Sequence, residues 1–148
     1  MDERLQYAEL APEGIARMRA LEHYLNTGAG LELGLLELVR LRVSLMNGCE
    51  YCIGMHTAAL EKHRESAERI AEIGEWREAE VYTERERAAL GWAEALTDIQ
   101  EGHAPDVVYD AVRMQFSEVE TVNLTLVITT INAWNRIAIG LGAHSGRR

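Results

Sequence analysis

Only two prolines interrupt the 148 residues, Pro12 and Pro105, and each stands where a helix can begin. Apolar side chains recur at three- and four-residue steps along the whole chain, the spacing of one face of a helix. No repeat, low-complexity tract or linker divides it. The pattern therefore predicts a single all-α domain over residues 1–148, built from about seven helices.

The first predicted helix covers residues 12–26, with Ile15, Met18, Leu21 and Leu25 on one face, and Thr27-Gly28-Ala29-Gly30 stops it. The second covers 32–46, with Leu35, Leu38, Leu41 and Leu45 as its apolar face, closed by Asn47-Gly48. A third runs over 49–63. Ser66 caps a short helix reaching 73. Thr83-Glu84-Arg85-Glu86 and Ser117-Glu118-Val119-Glu120 both read as capping boxes, opening helices to 99 and 141, and Pro105 opens one to 116. In the last helix the thread Val122, Leu126, Thr129, Ala133, Ile137 predicts the central element of the fold.

Composition excludes several function classes. Fifteen basic against twenty-four acidic side chains leave a net charge of -9, which suits neither nucleic acid nor an anionic membrane. No run of about eighteen uncharged apolar residues predicts a membrane-crossing helix. Met1-Asp2-Glu3-Arg4 does not resemble a secretory leader, so a cytoplasmic protein is expected. No phosphate-cradling glycine loop or Ser–His–Asp order is present, and no cofactor is expected.

The two cysteines stand three apart, in Asn47-Gly48-Cys49-Glu50-Tyr51-Cys52-Ile53-Gly54-Met55-His56. In a reducing compartment such a pair reads as catalytic or metal-binding rather than as a structural staple. At the start of a helix, Cys49, Cys52 and His56 share one face. Unpaired amides and the helix dipole favour thiolate there, and His56 can accept or stabilise a proton. Two other readings stay open: half of a zinc site, with His56 as third ligand and His23 or His63 as fourth, or two inert core cysteines. Glu37 lies on the preceding helix among Leu35, Leu36, Leu38, Val39 and Leu41. It stands either on an exposed face shared with Arg40 or inside, held by a partner.

The run Glu37-Leu38-Val39-Arg40-Leu41-Arg42-Val43-Ser44, followed by Asn47-Gly48-Cys49, Cys52 and His56, resembles the alkylhydroperoxidase D (AhpD) branch of the carboxymuconolactone decarboxylase-like family. The likeness continues through Thr83-Glu84-Arg85-Glu86-Arg87-Ala88-Ala89-Leu90 and Ile131-Asn132-Ala133-Trp134-Asn135-Arg136, covering nearly the whole chain. It implies an all-α fold associating into trimers or hexamers, and a peroxidase cycle fed by a hydroperoxide substrate and a dithiol reductant. By the same resemblance Cys52 is the peroxidatic thiol, Cys49 the resolving one, and Glu37 with His56 the proton relay. Tyr51 departs from the pattern, since the best-known peroxidase of the branch has a second histidine there. A phenol, with a pKa of about 10, is a poor base near neutrality, so the relay is shortened. The decarboxylases of the family act on a lactone without a redox thiol pair, which sets Cys49 and Cys52 against that activity.

The remaining features read as structural. Trp76 and Trp92 are expected to pack, and Trp134 to serve core or interface. Asn132 and Asn135 need partners if buried and are expected to bridge helices or subunits. The acid-rich stretches 65–80 and 84–94, interleaved with Arg, predict a solvated face with local ion pairs. His103 and His144 receive no role.

Overall fold

Caps and turns set the boundaries of the elements in the computed structural model, which describes residues 3–144. Met1, Asp2 and residues 145–148 of the expected domain, and with them half of the N-terminal run Met1-Asp2-Glu3-Arg4, lie outside the described residues. Helix α1 spans Tyr7–Leu10 and α2 spans Pro12–Thr27, with Pro12 in its first turn. Then come α3 (Leu33–Asn47), α4 (Glu50–Lys62) and α5 (Ala67–Ala71), the last capped by the Ser66 hydroxyl. A 3-10 turn at Ile73–Glu75 ends the short-helix region early, because the predicted helix to 73 breaks at Glu72. Helices α6 (Glu84–Thr97), α7 (Asp106–Gln115) and α8 (Glu118–Leu141) complete the chain. Both predicted capping boxes form: Thr83 and Ser117 each accept from the third amide while Glu86 and Glu120 reach back. Among the described residues there are eight α-helices and no strand, in one domain. Only α1 was not anticipated; at four residues it is too short for periodicity to reveal.

The centre is α3, not α8. It packs against α4, α6 and α8, and its side chains from Leu35 to Leu41 are all buried. A helix that is apolar nearly all round belongs inside. Leu45, assigned to the apolar face, is instead exposed. The thread predicted for α8 lies to one side of its buried face, with Leu126 half-buried against the core. Val122 is 60% exposed and Thr129 exposed, whereas Leu124, Val127, Ile128 and Ile131 enter the main core with Leu36, Val39 and Val43 of α3. Helix α8 is apolar on both sides, so its periodicity could not select the inner one.

By length and hydropathy alone α8 would suffice to cross a membrane, contrary to the sequence expectation. Its inner apolar side chains, Leu124, Val127, Ile128 and Ile131, are engaged in the core, and Asn123, Thr130 and Asn135 are buried on the same helix.

The acid-rich stretches are less solvated than expected. Arg69 of α5 pairs with Glu65 and with Glu86 of α6, and Arg85 of α6 pairs with Glu32 and Glu120. Glu94 accepts from Arg42 of α3, from Arg77 and from the indole of Trp76. Apart from the local Arg69–Glu65 pair, these are ties between elements. Trp76 and Trp92 pack as expected, and the Trp92 Nε1 donates to Thr125 Oγ1 at 2.9 Å.

The α8 cap has a measurable consequence. Ser117→Ala removes the acceptor of the Glu120 amide and should lower stability by about 1 kcal/mol. For a domain of this size that is a fall in Tm of about 3 °C by thermal denaturation. An unchanged Tm would show that the cap does not hold α8.

Candidate active site

A two-residue turn brings the cysteines to the head of α4. Helix α3 ends at Asn47, and Gly48 follows in the left-handed region (φ 70°, ψ 32°), where a side chain would be strained. Its amide donates to the Leu45 carbonyl at 3.3 Å and the Cys49 amide to that of Ser44 at 3.1 Å, closing the end of α3. Cys49 is thereby set at the N-cap of α4, and its sulfur accepts the Cys52 amide at 3.3 Å. Cys49 and Cys52 are joined as a disulfide, with Cα atoms 5.2 Å apart.

A polar network fixes that turn from behind. The Asn47 Nδ2 donates to Asn132 Oδ1 and Asn135 Oδ1, both at 2.9 Å. Asn135 Nδ2 donates to Ser44 Oγ at 3.1 Å, and Asn132 Nδ2 to Thr97 Oγ1 at 3.0 Å. The two asparagines of α8 thus bridge helices, as their apolar setting predicted. His144, unassigned from sequence, is buried with its Nε2 2.9 Å from the Gly48 carbonyl. A carbonyl can only accept, so that nitrogen carries the proton.

Glu37 and His56 meet inside the protein. The His56 Nδ1 lies 2.6 Å from Glu37 Oε2. Arg40, one turn further along α3, donates from Nη1 to Glu37 Oε1 and from Nη2 to Glu22 Oε2 of α2, each at 2.9 Å. The exposed face that Glu37 and Arg40 were offered as one option does not exist, since Arg40 is only 1% exposed. Burial acts to raise the Glu37 pKa, but the hydrogen bonds and charges of His56 and Arg40 outweigh it, and the net shift is downward. Neither Arg40 nor Glu22 was marked in the sequence. The i, i+3 spacing of Glu37 and Arg40 was the available signal, and it fits an exposed pair equally well.

Cys52 and His56 line one cavity of about 280 Å³, together with Glu22, Arg19, Met55 and Trp134. Tyr7 of α1 and Tyr51 complete its wall. Cys49 is fully buried against Ala138 and Ile139 and does not line the cavity. Tyr51 is 62% exposed and is not a packed core side chain. The His56 Nε2 is buried and has no hydrogen-bond partner among the described residues. His23 and His63 are exposed, and no group of three or more His, Cys, Asp or Glu side chains among the described residues is arranged to hold a metal ion.

Comparison with known proteins bears on the fold and the family. The sequence model of the Carboxymuconolactone decarboxylase family matches residues 12–95. The uncharacterized protein YdfG of Bacillus subtilis is 40% identical over the full length of both chains. A crystal structure from Agrobacterium tumefaciens superposes with a TM-score of 0.91 at 41% identity, covering 99% of this chain and 98% of that one. That protein is of unknown function and is described as a candidate AhpD antioxidant defence protein. An uncharacterized peroxidase-related protein from Silicibacter sp. TM1040 shares the fold (TM-score 0.77, 21% identity, 92% of this chain and 74% of that one).

The ion pairs around Glu37 set a pH dependence. A carboxyl whose pKa falls on folding stabilises the protein above its unfolded pKa and stops doing so as pH drops through the folded one. Glu37→Gln should therefore lose about 2 kcal/mol at pH 7. In urea titrations the gap to wild type should begin to narrow as the pH falls through the ordinary carboxyl range, about 4, and go on closing as it drops through the lowered folded pKa. A gap that persists undiminished to pH 3 would refute the assignment.

Proposed function

Because the chain belongs to the carboxymuconolactone decarboxylase family, as an AhpD-like member, we propose that it is a thiol-dependent peroxidase working through Cys49 and Cys52. The observation that carries this reading is the disulfide itself: one of its sulfurs, Cys52, opens on the cavity that also holds His56, while the other is enclosed. In the reduced protein the Cys52 thiolate attacks the hydroperoxide, the O–O bond breaks, and the alcohol leaves with a proton from His56. Cys52 becomes a sulfenic acid. The Cys49 thiol then attacks the Cys52 sulfur, water leaves, and the disulfide forms. A dithiol reductant restores both thiols by two exchanges and leaves as its own disulfide. Glu37 keeps the His56 ring oriented through Nδ1, and Nε2, without a hydrogen-bond partner among the described residues, is the nitrogen left to exchange a proton.

The cavity favours an organic hydroperoxide over hydrogen peroxide. Met55, Trp134 and Ala138 give it apolar walls that a two-oxygen molecule would leave unfilled. A cycle consuming dithiols needs a compartment that supplies them, so the proposed setting is the cytoplasm.

We also assign self-association to the outer face of α8. Val119 and Val122 stand 69% and 60% exposed, with the half-buried Leu126 beside them, an arrangement typical of a subunit contact. A trimer or hexamer is expected by ultracentrifugation, and Val122→Glu should dissociate it. A wild-type monomer at micromolar concentration would remove this assignment.

The catalytic reading is tested with an organic hydroperoxide and a dithiol, following peroxide loss. Cys52→Ser should abolish turnover, and Cys49→Ser should stop after one equivalent with a sulfenic acid that dimedone traps. Disulfide formation without continued consumption in wild type would instead indicate a thiol sensor. Full activity in both variants would end the proposal.

A further inference from the structure

The buried charges behind His56 do not balance in the obvious way. Arg40 is permanently cationic, and Glu37 is held ionised, so these two cancel. Glu22 adds a second carboxylate on the same guanidinium, 2.9 Å from Nη2. The set of Glu22, Arg40 and Glu37 therefore carries one net negative charge, and His56 is the next member of the chain. An uncompensated charge is costly for the buried members of that chain, Arg40, Glu37 and His56, while Glu22 brings its charge from the cavity wall. The four groups sum to zero only when His56 is an imidazolium.

The other groups facing the cavity do not alter that balance. Tyr7 of α1 is raised above its ordinary pKa by burial, with Tyr51 and Glu3 adding to the rise and Arg19 opposing it, and it is neutral at pH 7. Tyr51 of α4 is exposed, and Trp134 of α8 has no charge to give. Arg19 of α2 is a cation, but it is exposed and screened by water. His144 sits against the Gly48 carbonyl.

We infer that Glu22 is a positioning residue: acting through Arg40, it supplies the charge that holds His56 protonated beside Cys52 and so holds Cys52 as a thiolate. Glu37 alone would orient the ring but would be neutralised by Arg40. Glu22 lies on a different helix, eighteen residues before Arg40, and its side chain is 23% exposed on the wall of the same cavity. This rests on Cys52 being the attacking thiol, but it concerns the thiol's ionisation, which can be read without any peroxide.

The test uses the reduced full-length protein in a Cys49→Ser background, so that Cys52 is the single thiol, and follows its alkylation by iodoacetamide against pH. Glu22→Gln keeps an oxygen for Arg40 and removes the charge. It should raise the midpoint of the alkylation profile by about one pH unit and slow alkylation at pH 6 about tenfold. Glu22→Asp keeps the charge and should return the midpoint close to wild type. An unshifted midpoint in a folded Glu22→Gln protein would overturn the inference, and so would equal shifts in the Gln and Asp variants, which a purely steric role predicts. Should Glu22→Gln fail to fold, the ¹⁵N shifts of His56 in the protein without substitutions decide. A doubly protonated ring at pH 7 is expected, and a neutral ring would overturn it. A protein that consumes no peroxide yet shows these shifts would remove the peroxidase reading and leave this one intact.

Discussion

The guanidinium of Arg40 is the interaction on which the site depends. It is almost wholly buried on the central helix, where a lone cation would be untenable, and it is tolerated because two carboxylates receive it. One of them, Glu37, shares its helix and passes the constraint on to His56. The other, Glu22, belongs to α2, which packs on α8, and ties that helix to α3 through the ion pair. Removing one partner from such a set leaves the buried guanidinium under-compensated and costs more than breaking a surface pair. Packing of α2, orientation of the imidazole and the electrostatics of the cavity are thus one arrangement, not three.

The second constraint is the turn at Gly48. A left-handed residue there lets α3 stop and α4 start within two residues, which sets Cys49 at a helix N-cap and Cys52 one turn in. Asn47, Asn132, Asn135 and Ser44 hold the turn to α8 through side-chain hydrogen bonds that are largely shielded from water. Buried amides of this kind are satisfied only in one geometry, so they fix the position of the thiols more sharply than apolar packing would.

The sequence was legible wherever the signal was local. Thr83 and Ser117 announced their helices because a capping box needs only four consecutive residues, and the cysteine spacing needed only the start of α4. Signals that depend on a partner elsewhere were not legible. Glu37 and Arg40 at i, i+3 look like a surface pair until Glu22 and His56 are brought to them from other helices. In α8, Val122 and Leu124 are equally apolar, and only the neighbouring α3 decides that Leu124 faces in. Family resemblance marked Glu37 as a site residue before any geometry did, yet it left Arg40 and Glu22 unremarked.

The two sulfurs sit in environments that differ in kind, and the proposed cycle uses both. Cys49 has no access to the cavity, and its sulfur already accepts the Cys52 amide at the positive end of α4. That hydrogen bond is well placed to receive a thiolate when the disulfide opens, because the amide donates more strongly to an anion. Cys52 lies on the cavity wall with His56, where charge comes from the Glu22, Arg40 and Glu37 chain instead. In the proposed cycle a reductant entering the cavity meets the Cys52 sulfur and expels Cys49 onto its waiting amide, and Cys52 attacks peroxide once the second exchange has freed it. The asymmetry of the motif thus follows from the helix start on one side and the buried charge chain on the other, and neither the spacing of the cysteines nor their pairing alone would produce it.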